Sequence, residues 1–205
     1  MKTFANLISS KNAFIFEMDD VLFPSKDYDL QVYYLFANFL EFQEGFPVSN
    51  DLIQFMKKVH QKHGPDRIFD KAKEVYAFDE KYRANFERLL REAKLPLKLL
   101  LFQNMLSFLQ EIVVDRKQIF IVTAGDPLQQ LNKIKHTEWH GLEKFLRVYF
   151  ADEIKPKPSI DVIRLLMEEN DLKEDDFVIV GSTERDQQFA LAAGIEYVPV
   201  SDFIS

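Results

Sequence analysis

Hydrophobic positions fall along this chain in two textures. Short unbroken apolar runs occur at Ala13–Phe16, Ile119–Thr123, Val148–Ala151, Phe177–Val180 and Tyr197–Val200. Their length and their β-branched and aromatic content predict strands buried on both faces. Other stretches repeat apolar residues at the three-and-four spacing of a helix face: Leu52, Phe55, Met56 and Val59; Phe102, Met105, Leu106, Leu109 and Val113; Val162, Ile163, Leu166 and Met167. Strands and helices alternating in this way predict an α/β fold built on a doubly wound parallel sheet. One region breaks the alternation. From Asp27 to Phe42 there is neither Gly nor Pro, and Leu30, Tyr33, Tyr34, Ala37, Leu40 and Phe42 favour a helix covered on more than one side. Gly45 and Pro47 end it, and Ser49 and Asn50 offer N-caps for the next helix, which stops at Gly64-Pro65. Further helical segments follow over about 65–76 and through Tyr82, Phe86, Leu89, Leu90 and Ala93. The pattern therefore predicts a helical insert over 24–95 within an α/β core formed by 1–23 and 96–205.

Composition narrows the chemistry. A net charge of −7 gives no electrostatic footprint for nucleic acid, so an anionic ligand would need local positive charge. The chain has no Cys, which removes disulfides, thiolate metal sites and a Cys nucleophile. No run reaches the length of a membrane span, and the first twelve residues lack the apolar stretch of a signal peptide. A cytoplasmic location is expected. The twenty Phe imply a bulky core or an apolar interface.

Three acids, Glu17, Asp19 and Asp20, follow the first apolar run directly. Open α/β sheets place their ligands at the carboxyl ends of their strands, and clustered carboxylates there need a cation or a shared proton. An acidic, solvated turn is the competing reading. Thr123 closes the second strand ahead of Ala124-Gly125, where a hydroxyl and free backbone N–H groups are suited to a phosphate oxygen. Asp126-Pro127 reads as an N-cap and first helical residue. Lys155 lies in Lys-Pro-Lys-Pro, with Lys157 as its rival and the one expected to be solvated. His60, His63, His136 and His140 lack ligand spacing to carboxylates and read as packing or surface residues.

FEMDDVLF, IFIVTAGDPLQQLNK, KPKP and VIVGSTERDQQFALAAGI, in this order, resemble the four motifs of the haloacid dehalogenase (HAD) superfamily of phosphohydrolases. The resemblance implies a Rossmann-like core with an inserted helical cap, as in phosphoglycolate-phosphatase-like and nucleotidase-like members. It implies catalytic roles for Glu17 at the nucleophile position, Asp19 as general acid/base, Thr123 as phosphate holder and Lys155 as the compensating cation. It also implies Mg²⁺ held by Glu17, the carbonyl of Asp19 and, close behind, Asp186. The family has Asp where this chain has Glu17, and an acid where it has Ser182. One added methylene displaces a carboxylate by about 1 Å, which can cost about 10²-fold in rate. A neutral Ser182 implies weak Mg²⁺ binding. Two functions are consistent with this: a slow or altered Mg²⁺-assisted hydrolase of a small phosphorylated metabolite, or a non-catalytic relative that binds a phosphometabolite or a protein partner.

Overall fold

After helix α1, Phe4–Ser10, the first apolar run becomes strand β1, Ala13–Phe16, with every residue buried. The computed structural model describes residues 4–203. Four further strands pair with β1 directly or through a neighbour: β2 (Gln118–Thr123), β3 (Leu146–Phe150), β4 (Phe177–Gly181) and β5 (Glu196–Pro199). All pairings are parallel, and the strand order is β3-β2-β1-β4-β5. The chain moves outward from β1 to β3 and then returns beside β1 at β4. The carboxyl ends of β1, β2 and β4 therefore border the switch point, where such sheets open a ligand crevice.

The pleat explains why β1 is apolar throughout. Ala13 and Ile15 lie in a buried cluster with Phe120, Val122, Phe177 and Ile179, packed with residues of α9 (Asp161–Asn170) and α10 (Glu184–Ala193). Phe14 and Phe16 instead meet Phe108 edge-on, at 5.6 and 5.9 Å between ring centres. Phe108 belongs to helix α6, Gln103–Val114. Alternate side chains thus bury opposite faces, and helices cover both.

The chain divides into two compact units. The α/β unit runs through Pro24, over Leu100–Gln130 and from Thr137 onward. The helical unit comprises Ser25–Leu99 together with Leu131–His136. Its helices are α2 (Ser25–Glu44), α3 (Ser49–His63), α4 (Ile68–Tyr76) and α5 (Arg83–Glu92). Much of the Phe content is spent here: the ring of Phe36 lies 5.9 Å from Phe69, 5.9 Å from Phe78 and 5.0 Å from Phe86. Helix α3 starts one residue earlier than a Ser49 cap would set it. Val48 takes the N-cap position and no side chain caps the helix.

Helix α7, Pro127–His136, crosses the division, with its first turn in the α/β unit and its remainder in the helical one. Its start is as the sequence indicates: Asp126 Oδ1 accepts from the N–H groups of Leu128 and Gln129 at 3.0 and 3.1 Å. The third strand ends at Phe150, and Ala151 opens a short helix, α8 (Ala151–Ile154).

Candidate active site

Glu17 is the first residue beyond β1, and its N–H still donates to the carbonyl of Val180 at 3.2 Å. The chain then coils tightly. The N–H groups of Val21 and Leu22 both donate to the Met18 carbonyl, and the side chains of Met18, Val21, Leu22 and Phe23 are fully buried. Asp20 takes the left-handed conformation at φ 58°, which Asp tolerates better than most residues. This apolar anchoring fixes Glu17 and Asp19 at the crevice.

Both oxygens of Glu17 are occupied. Oε1 accepts from the Met18 N–H at 2.7 Å and from the Thr123 hydroxyl at 2.5 Å. Oε2 accepts from the Ala124 N–H at 3.2 Å and from Lys157 Nζ at 2.8 Å. Four donors use essentially all the lone-pair sites of a carboxylate. Lys157 Nζ also donates to Asp186 Oδ1 at 3.2 Å and lies 5.1 Å from the centre of the Phe189 ring. Asp186 Oδ2 accepts from the N–H groups of Ser182 and Thr183 and from the Thr183 hydroxyl, at 3.3, 3.1 and 2.7 Å. Burial is the largest single influence on Asp186 and opposes its ionisation. The charge of Lys157, with hydrogen bonds from Thr183 and Lys157, outweighs it and holds the carboxyl below its usual range. Gly181 leaves room for this: a Cβ there would stand 2.4 Å from the Asp186 Cβ.

The structure brings Glu17, Thr123 and Asp186 together and corrects the lysine. The Lys155 side chain is 65% exposed and stands 3.6 Å from Asp161 Oδ2, whereas the Lys157 side chain is 1% exposed and lies inside the site. The matching frame is thus Lys157-Pro158, two residues later, with Ile160 where the motif carries its second proline. The motif's Lys-Pro-x-Pro pattern favours Lys155, and nothing in the sequence shows which lysine the fold turns inward. Asp19 is half-buried, and its Oδ2 accepts from Gln130 Nε2 at 3.0 Å. Gln130 carries no signal in the sequence, where helical periodicity marks it as one more polar position. Its Oε1 is buried without a partner, the cost of aiming the amide N–H at Asp19.

The donor set does not fit the Mg²⁺ that the resemblance implies. Glu17 and Asp186 are committed to protein donors, and the Asp19 carbonyl accepts from the Ser182 hydroxyl at 3.4 Å. Among the described residues, no group of three or more His, Cys, Asp or Glu is arranged to hold a metal ion. The histidines are engaged in packing or exposed: His60 Nδ1 bonds the Tyr33 hydroxyl at 3.0 Å, His136 accepts from the Leu95 N–H at 3.2 Å, and His63 and His140 are exposed. Glu184 accepts from Gln188 Nε2 on the surface of α10.

A Rossmann-like sheet carries an acid, a threonine, a lysine and a second acid at its switch point, where open α/β sheets have their ligand crevice. The sequence matches the haloacid dehalogenase-like hydrolase family over residues 14–200, and the chain belongs to that family. No curated protein matches the sequence significantly. Among solved structures, YfnB from Bacillus subtilis, assigned as a HAD-hydrolase and bound to magnesium, shares 16% identity, with 91% of this chain and 85% of that one covered and a TM-score of 0.61. A protein from Thermotoga maritima assigned as a β-phosphoglucomutase shares 19% identity over 90% and 82% of the two chains, at a TM-score of 0.61. A HAD-superfamily hydrolase of subfamily IA from Geobacter sulfurreducens shares 17% over 93% and 87%, at 0.56. At these identities the likeness is one of fold. Among the described residues, no helix is long and apolar enough to cross a membrane.

Proposed function

We propose that this chain is a non-catalytic member of the haloacid dehalogenase-like hydrolases that binds a small phosphorylated metabolite. The observation that carries the non-catalytic part of this reading is the occupancy of Glu17, and the binding part is supported by membership of a phosphate-handling family. In a phosphohydrolase of this family the threonine, the neighbouring N–H and the lysine would hold the phosphoryl oxygens while the acid attacks phosphorus. Here the Thr123 hydroxyl, the Ala124 N–H and Lys157 Nζ all donate to Glu17 itself. A bound phosphate would have to take over these donors and leave the displaced carboxylate elsewhere. Hydrogen bonds to a charged group are worth about 1.5–3 kcal/mol each. Losing even two without replacement removes about 10²- to 10⁴-fold in rate.

A second reading, a slow phosphomonoesterase, is favoured by Asp19, two residues beyond Glu17, whose Oδ2 accepts from Gln130 Nε2 at 3.0 Å. One experiment decides between them: a panel of phosphorylated metabolites assayed both for phosphate release and for a rise in melting temperature, with the Glu17→Asp, Ser182→Asp double variant alongside. The expected result is no release from the native chain and stabilisation by at least one metabolite. Phosphate release by the native chain, absent from a Glu17→Gln control, would overturn the non-catalytic reading. No stabilisation by any metabolite would overturn the binding one.

A further inference from the structure

We infer that this site does not take the Mg²⁺ that the family resemblance implies, because its carboxylate oxygens are already held by protein donors, Lys157 Nζ among them, and Ser182 brings no charge. Two buried carboxylates placed side by side repel unless a positive charge lies between them. That charge is already present. Lys157 Nζ reaches Glu17 Oε2 at 2.8 Å and Asp186 Oδ1 at 3.2 Å, from a side chain only 1% exposed. The Phe189 ring, at 5.1 Å, adds a further favourable contact for the cation.

A Mg²⁺ ion would meet three obstacles, each visible in the donors and acceptors. It requires oxygen ligands at about 2.1 Å in octahedral array. The oxygens of Glu17 and Asp186 already accept from Met18, Thr123, Ala124, Ser182, Thr183 and Lys157. The hydroxyl of Ser182 donates to the Asp19 carbonyl and brings no charge of its own. An ion entering beside Lys157 would also face a like charge in a poorly screened interior, where repulsion is strong.

The test uses the full chain and Mg²⁺ alone. Native protein should show the same melting temperature in EDTA and in millimolar MgCl₂, and no binding heat in calorimetric titration. The Lys157→Met variant should melt lower in EDTA and recover part of the loss on adding Mg²⁺, because the two carboxylates are then left without their cation. Ser182→Asp, at an exposed position that does not threaten folding, should gain a Mg²⁺-dependent rise that the native chain lacks. A Mg²⁺-dependent rise of several degrees in the native protein would overturn the inference. So would a folded Lys157→Met whose stability ignores Mg²⁺, or a Ser182→Asp that gains nothing. The outcome is separable from the question of turnover. Phosphate release in EDTA would sink the non-catalytic reading and leave this one standing, whereas Mg²⁺ binding without release would do the reverse.

Discussion

At the scale of single residues, the extra methylene of Glu17 matters because it carries the carboxylate into the anion donors. Glu17→Ala should therefore do two things at once. It leaves Lys157 with Asp186 as its remaining carboxylate, and breaking a buried ion pair costs about 3–5 kcal/mol. It also frees the Thr123 hydroxyl and the Ala124 N–H for another oxyanion. Inorganic phosphate should consequently raise the melting temperature of Glu17→Ala more than that of the native chain, read by thermal shift across a phosphate series. Equal shifts in the two proteins would show that Glu17 does not compete for those donors. Asp186 gives a pH signature. Its folded carboxyl lies below the ordinary 3.8, so the stability it contributes is complete above 3.8 and is lost as pH falls through the lower folded value. Asp186→Asn should be the less stable protein at neutral pH, with the gap closing under acid in urea titrations. A gap that stays constant into strong acid would assign the loss to packing instead. The positions of Glu17 and Thr123 are legible because they stand where an apolar strand ends, whereas Asp186 lies inside α10 and is singled out only by the motif that the sequence resembles. Lys157 is not legible, since a turn at Lys157-Pro158, and not composition, decides which lysine enters the site.

Elements were more legible than side chains. Strand β1 falls where its apolar run predicts, and the other four begin or end within two residues of theirs. Buried parallel strands announce themselves by unbroken apolar runs, while their ends depend on pairing with neighbours that no local window contains. The start of α3 shows the same limit: Ser49 has good capping chemistry, yet packing sets the first turn around Val48. In the helical unit the excess of Phe resolves into a core rather than an apolar cleft. Phe36 is fully buried and touches three other rings, one of them on α4 and one on α5. Phe36→Ala should cost about 3–5 kcal/mol. The loss should appear as a lower urea midpoint by far-UV circular dichroism. Phe42, 84% exposed at the end of α2, should by contrast tolerate Ala within about 0.5 kcal/mol.

For the whole molecule, the least legible feature is that residues 131–136 belong with the helical unit although they lie more than thirty positions beyond Leu99. Periodicity shows that α7 is a helix and says nothing about which partners each turn will find. The partners are polar and specific. Asn132 Nδ2 donates to the Tyr28 hydroxyl at 3.0 Å and to the Ala93 carbonyl at 2.9 Å, and His136 accepts from Leu95. Asn132→Ala leaves a buried carbonyl without its donor, a cost of about 1–3 kcal/mol. Because α7 is one continuous helix whose first turn lies in the α/β unit, that cost should reach both units through helix cooperativity. The single tryptophan, Trp139, lies in the α/β unit just beyond α7 and reports there, while circular dichroism reports the helices of both units. Asn132→Ala should lower the urea midpoint seen by Trp139 fluorescence and by circular dichroism together. If the dichroism midpoint falls while the Trp139 midpoint stays in place, the two units unfold independently and α7 does not couple them.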